Sequence, residues 1–518
     1  MKKYIIMLLT TVFLLSNYSC SDFFDNSPKS QLTEEEVYDS IESIERVVDA
    51  LFIKWRDLKK DRQGLMFLLG LDETQQGAFQ VKSEADQAGL DKYNTALSPD
   101  NKALTSEWDN RWLILAQANI AVSVLESFNK ETTEEEVLAK NSLMGQAYFI
   151  RAALHFEVSQ YWGEIPVLDF AVISENGMGR QPLPVVYAQI MKDLEAAVDL
   201  LPPTQNDPRR VTQAAAQTLL GKVYMSAPHE SKLRDYTKAS EYLKMVIDNP
   251  KYKLVDNYAD LWDVKKPNSV ESIYEFQFNN VSPDQNQIQW QTGSRSVANL
   301  DGNAYFGGYD LILPTQYAYS STSAGGVWED GDLRKNESIR YDFTYKGRTP
   351  TVDISWMGGD ELDPHIKKYE DIRVDGVMSF WYSGKNVFYL RYADVLLSYA
   401  ECLNELGQTS TAVGLVNDVR TRAWGGTLPA DKKWNSGMSQ DQFRKDILDE
   451  RMRELAFEGW RRIDLLRTGK FVELIKARNK WAKQENKIQN FHQRYPIPST
   501  AMLDDSEITK EDQNPGYN

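Results

Sequence analysis

Between Lys251 and Lys385 the chain concentrates aromatic side chains among Gly, Ser, Asn and Asp: Trp290, Tyr305, Phe306, Tyr309, Tyr317, Tyr319, Trp328, Trp356, Trp381 and Tyr382. Rings held in polar loops, outside any helical stripe, suit one kind of chemistry. Their faces stack on the apolar faces of sugar rings, while neighbouring Asn, Gln, Asp and Arg bond to hydroxyls. A loop-rich lobe also needs a core, and large rings are mostly buried. Each single ring is therefore expected to pack, and a few of the set to line a site.

Catalytic signatures are missing. The sequence holds no Gly-rich phosphate loop, no GxSxG elbow, and no HExxH or CxxC metal motif. The histidines, His155, His229, His365 and His492, lie far apart, and His155 sits among apolar residues of a helical pattern, where a buried ring is expected. A glycosidase needs two carboxylates around a sugar bond, but with 75 Asp and Glu such pairs are available everywhere and discriminate nothing. No catalytic residue is assigned and no enzyme is expected; a secreted hydrolase would have to reveal itself by turnover. The charged stretch ILDERMRELAFEGWRRIDLLRTGK carries one apolar stripe: Leu448, Met452, Leu455, Gly459, Ile463 and Leu466. It reads as a packed helix within Ser439–Thr468, with Glu450 pairing Arg453 and Glu458 pairing Arg461 or Arg462. Arg391 and Asp394 are likewise expected to satisfy each other.

The elements that must position the aromatic loops are helical. In YLRYADVLLSYAECLNELGQTSTAVGLVNDVRTRA (389–423), Ala393, Leu396, Ala400, Leu403 and Gly407 step by three and four. Gly407 stops that helix, Thr409 or Ser410 caps the next, and Ala412, Val416, Val419 and Ala423 repeat the pattern. Small residues at Ala400 and Ala412 allow close antiparallel packing, as in a tetratricopeptide repeat. A second such pair is read over 212–250 from Leu220, Gly221, Tyr224, Ala239, Leu243 and Pro250. Further helices are expected from a cap at Thr33 with Glu36 through Trp55, and over 104–128, 137–162 and 187–201. SIYEFQF (272–278) alternates as a strand, and 70–100 reads as a long polar loop. The fold class is mainly α: tetratricopeptide-like helix-turn-helix repeats forming an α-α superhelix, with a loop-rich inserted lobe.

The 518 residues suffice for a large core, and the net charge of −16 with no Lys/Arg-rich block argues against nucleic acid and suits an uncharged ligand. At the amino terminus two lysines precede an apolar run, Tyr4 to Leu15, followed by small polar residues, the pattern of a secretory signal peptide. Of the two cysteines, Cys402 lies within a helix as a small apolar side chain. Cys20 stands where a bacterial lipoprotein signal places its acylated cysteine, with Asn17 where such signals usually carry an aliphatic residue. Residues 1–19 then form the signal peptide, 20–32 a lipidated tether, and 33–518 one domain: scaffold at about 33–250 and 386–490, insert at about 251–385.

AYFIRAALHFEVSQYWGEIPVL, NVFYLRYADVLLSYAECLNELG, RTRAWGG, the 447–470 stretch and the terminal YPIPSTAML…QNPGY together resemble the RagB/SusD family, across nearly the whole mature chain. The resemblance implies a surface-exposed outer-membrane lipoprotein that binds oligosaccharide or polysaccharide nutrients without catalysis. It would act as lid of a TonB-dependent, SusC-like barrel. The family's ligand site lies in variable loops, so no fixed motif transfers. In the matching regions here, Trp290, Tyr305, Tyr309 and Trp328 are expected as stacking platforms, Asp72 and Gln76 as hydroxyl partners, and Cys20 as the lipidation site. No cofactor and no metal site are expected; DELD (360–363) is a place for a structural Ca²⁺ that nothing else supports. A peptide-binding or protein-interaction lid on the same architecture is the alternative.

Overall fold

The computed structural model describes residues 38–168, 177–293, 308–342, 355–356, 360–361, 364–371 and 382–517. Cys20, the Thr33 cap and Tyr305 lie outside them, and of the DELD run only the backbone of Asp360 and Glu361 is described.

Helix α1 (Ile41–Asp57) starts at Ser40, whose hydroxyl accepts the Ser43 N–H. Ile44, Val48, Leu51, Phe52 and Trp55 recur on one buried face, the 3.6-residue period in practice. That face packs on α2 (Lys102–Ser127) and α3 (Glu134–Trp162). A reciprocal capping box between Thr133 and Glu136 opens α3. Helix α4 (Leu183–Leu200) ends before Pro202 and Pro203, which cannot continue it. Helices α5 (Gln213–Ser226) and α6 (Tyr236–Ile247) follow. Gly221 is needed here: a Cβ on it would come within 2.7 Å of Leu243 Cγ.

After α6 the chain leaves the helical layer and returns at α7 (Tyr392–Glu405) and α8 (Thr409–Ala423). Gly407, at φ +78°, turns the chain between them, the left-handed geometry glycine adopts without strain. Ala393, Leu396, Ala400, Leu403, Ala412, Val416, Val419 and Ala423 are all buried, as their spacing predicts. From α2 to α8 each helix packs on the next, and α6 lies directly against α7. The two repeat-like pairs are thus neighbours in space, and the α-α superhelix expected from the sequence is the observed fold.

The excursion between α6 and α7 is pinched at its base by an antiparallel ladder. β1 (Ser272–Phe276) pairs with β2 (Val387–Arg391), Ser272 facing Arg391 and Phe276 facing Val387. Buried ion pairs then tie the excursion to the scaffold. Arg391 contacts Glu271 (2.8 Å), Glu454 (2.5 Å) and Glu458 (2.7 Å). Arg334 contacts Asp332 (2.7 Å), Glu450 (2.8 Å) and Glu454 (3.0 Å). Charges removed from water at this density are tolerable only because each has several partners of opposite sign.

Three local expectations are corrected. Arg391 and Asp394 do not pair: Arg391 serves the excursion, while Asp394 binds Lys222 and Arg451. The 439–468 helix is broken, α9 (Gln440–Leu455) being separated from α10 (Arg461–Arg467) by a turn with Phe457 at φ +71° and Gly459 at φ +91°. That break redirects the charges: Glu450 does pair Arg453 (2.8 Å), but Glu458 pairs Lys368 and Arg391, leaving Arg461 to Asp72. Finally, the 70–100 stretch is no open loop. Residues 71–78 are all buried, and short helices run over Gln80–Ser83 and Ala85–Lys92.

Candidate functional site

The short helix Ile288–Thr292 carries Trp290. Its entry is fixed by the Gln287 N–H on the Lys60 carbonyl (2.6 Å) and by Asn286, whose side-chain oxygen accepts the Ile288 N–H (3.1 Å). The chain returns at Gly308 and runs back along the same helix. Tyr309 N–H donates to Trp290 O (2.7 Å), Asp310 N–H to Gly293 O (3.0 Å), and Leu311 N–H to Gln291 O (2.9 Å). The two backbones touch so closely that a Cβ on Gly308 would fall 2.0 Å from Gly293. The rings of Trp290 and Tyr309 are thereby brought to 5.0 Å between centroids, inclined at 44°, each partly exposed. Tilted aromatic pairs at this separation are mutually attractive and stiff.

Two further segments close around this pair. Arg62, in the turn after α1, lies 4.9 Å over the Tyr309 ring. Its Nε donates to Gln87 Oε1 (3.1 Å) and its Nη2 to Gln80 Oε1 (3.3 Å). Gln80 Nε2 in turn donates to the Tyr309 carbonyl (2.6 Å). Beside Trp290, Gln289 Oε1 accepts the Asp371 N–H (3.0 Å). The result is an aromatic step flanked by one guanidinium, which the buried amides of Gln80 and Gln87 hold from behind, able to take an apolar ring face and bond to a polar group at its edge.

Half of the expected site is therefore elsewhere. Trp328 is 1% exposed, its Nε1–H donating to the Ala318 carbonyl (2.5 Å), so it is core and not a platform. Asp72 is fully buried between Arg461 (2.7 Å) and Arg478 (2.9 Å). Burial alone would raise its pKa, but the two guanidiniums outweigh it and hold the carboxyl below its ordinary range. Gln76 is 1% exposed; its N–H donates to Asp91 and its carbonyl accepts from Trp481 Nε1. Both Asp72 and Gln76 belong to a strap that pairs Thr74–Gln75 with Leu313–Pro314 and passes the Gly77 N–H to Asp310 O (2.8 Å). The strap positions the site from behind. Arg62 and Gln87 lay in no motif that singled them out, and Gln80 closes the GLDETQQGAFQ run without differing in type from its neighbours.

Other openings are less suited to a sugar. A cavity of about 90 Å³ lies behind the short helix, walled by Ile288, Phe67, Tyr161, Phe388 and Trp460, and is too small for a saccharide unit with its hydroxyls. A groove of about 800 Å³ lies between α7, α9 and α11 (Phe471–Arg478). Most of its charges are engaged with one another: Arg444 with Glu405 and Asp441, Arg467 with Glu401, Lys470 with Glu473. His155 is buried as expected, its pKa pushed down to about 3 by burial and by Arg151. Among the described residues no group of three or more His, Cys, Asp or Glu is placed to hold a metal.

Comparison with known proteins bears on the whole chain. Residues 271–517 match the model of the SusD family, and residues 22–225 match the model described as "Starch-binding associating with outer membrane". SusD-like protein P2 of Formosa agariphila is 27% identical across the full length of both chains. A crystal structure of a SusD homolog from Bacteroides thetaiotaomicron superposes with a TM-score of 0.78 at 20% identity, covering 94% of this chain and 99% of that one. The surface glycan-binding protein A from Bacteroides thetaiotaomicron, solved in complex with laminarihexaose, superposes with a TM-score of 0.73 at 18% identity, covering 91% and 99%. With matches to both halves, a relative aligned end to end and the same fold, the chain is a SusD-like protein of the SusD/RagB family.

Proposed function

We propose that this protein binds oligosaccharide or polysaccharide at the step formed by Trp290 and Tyr309 and delivers it, without chemical change, to a TonB-dependent, SusC-like outer-membrane barrel. One observation carries the reading: two partly exposed rings from separate segments meet beside the partly exposed Arg62 guanidinium, which the buried Gln80 and Gln87 amides hold in place. That is the composition a sugar asks for, an apolar face against a ring and hydroxyls against planar polar groups. The membership in a family whose model is described as starch-binding, and the laminarihexaose bound by a protein of the same fold, support it. Acylation of Cys20 would hold the protein at the cell surface in this reading, with its body in water.

Electrophoresis through gels containing single polysaccharides tests the binding. At least one should retard the wild-type protein, and Trp290→Ala or Tyr309→Ala should clearly reduce that retardation. If no polysaccharide slows it while a peptide library yields a binder, the cargo is peptide and the sugar reading fails. Affinity capture from detergent-solubilised outer membranes should co-purify the barrel.

A further inference from the structure

Where this molecule holds an arginine deep in its interior, it usually does so with carboxylates. Arg334 has Asp332, Glu450 and Glu454; Arg451 has Asp394 and Asp464; Arg461 has Asp72. Arg62 is held differently. Its guanidinium is oriented by the side-chain oxygens of Gln80 and Gln87 and by the face of Tyr309. Neutral amides fix the plane of the fork but leave its charge uncompensated. Among the described residues no carboxylate lies within ion-pair distance of Arg62, and its Nη1 has no hydrogen-bond partner. A partly buried, pre-oriented guanidinium with a free N–H edge is the group that best recognises a planar or tetrahedral oxyanion.

Resting on the glycan reading and narrowing it, we propose that the ligand is an acidic glycan. A carboxylate or sulfate ester on the sugar accepts from the free edge of Arg62 while the sugar ring lies on Trp290 and Tyr309. The net charge of −16 opposes a polyanion at a distance. Screening at physiological salt confines that opposition to roughly 8 Å, whereas the Arg62 contact acts at hydrogen-bond range. The uncharged ligand suggested by composition gives way here to local geometry.

The experiment uses the intact protein and matched glycans. Gels contain laminarin and galactomannan as neutral polymers, alginate and polygalacturonate as carboxylated ones, and carrageenan and dextran sulfate as sulfated ones. Retardation by a carboxylated or a sulfated polymer identifies which oxyanion is read. Carbodiimide reduction of the uronates, or desulfation, should then lower the affinity of the wild-type protein at least tenfold, a result that needs no variant. Arg62→Gln should cost at least tenfold on the charged polymer and a clearly smaller factor on its neutralised form, since the guanidinium also supports the Tyr309 ring, with Arg62→Lys recovering part of the charged-polymer loss. Binding to neutral polymers alone, or equal losses for Arg62→Gln on charged and neutralised forms, would overturn the acidic-ligand proposal and leave the glycan reading standing. If no polymer of any class binds, the glycan reading falls and this proposal falls with it.

Discussion

The Tyr309 N–H donates to the Trp290 carbonyl at 2.7 Å, so the two rings of the site are coupled through the main chain before their side chains meet. They should therefore act as one platform. Trp290→Ala and Tyr309→Ala should each lower glycan affinity about tenfold, or about 1.4 kcal/mol. Calorimetric titration of the double variant should show a loss smaller than the sum, since neighbours in contact are not additive. Strictly additive losses would mean that the rings bind separately.

Trp328 provides the contrast. Because it is core, Trp328→Ala should destabilise the protein by about 3–5 kcal/mol in urea unfolding. The affinity of the folded fraction should stay at the wild-type level. A selective loss of binding at unchanged stability would return Trp328 to the site.

Glu454 accepts from Arg391 (2.5 Å), Arg422 (2.6 Å) and Arg334 (3.0 Å), joining α8, α9, β2 and the rest of the excursion. Burial would raise its pKa, but these guanidiniums outweigh that and hold it far below the ordinary carboxylate range. Its contribution is thus fully present above the unfolded value near 4.5 and is lost as pH falls through the folded one. Glu454→Gln should cost roughly 3–5 kcal/mol at neutral pH, leaving buried guanidinium charge unpaired. Thermal melts from pH 7 down to pH 3 should show the gap between variant and wild type narrowing toward the acid end.

Glu73 runs the other way. It is 1% exposed and receives one main-chain hydrogen bond, from Phe457 (3.2 Å). Burial pushes its pKa up to about 8, Arg461 offsetting only part of the effect. Between the unfolded value of 4.5 and about 8 the native state holds a proton that the unfolded chain has released, so stability falls as pH rises through this window. Glu73→Gln keeps an acceptor for Phe457 and removes the titration. The variant should melt above wild type at pH 9 and match it near pH 5; a lower melting temperature at pH 9 would contradict the assignment.

Cys20→Ala should move the protein from the membrane fraction to the soluble periplasmic or extracellular one and abolish incorporation of labelled fatty acid. Retention of both would require another anchor.

The scaffold was legible because its rule is local. Ala400, Leu403, Ala412 and Val416 repeat at helical spacing, and each is buried where that spacing puts it. What could not be read locally was pairing across the chain. Arg391 and Asp394 are one turn apart, yet Arg391 is claimed by Glu271, Glu454 and Glu458, which only the tertiary fold brings near. Asp72 looked like a polar loop residue because its partners Arg461 and Arg478 lie near the other end of the sequence. Trp290 and Tyr309 were recognisable by type, while Arg62 emerged only once its amide partners were visible in space.

The ladder of β1 and β2 closes the excursion at its base, with α6 and α7 packed side by side behind it. To the superhelix, residues 248–391 are therefore a graft whose two ends sit at one junction. Insertions and deletions in the exposed loops beyond the ladder change the length of a closed loop, whose entropic cost grows only slowly with size, and leave the helical register untouched so long as the buried Arg334 ion pairs and the Leu313–Pro314 pairing to the scaffold are kept. Such a plan lets selection rewrite what is recognised while the supporting wall is inherited unchanged.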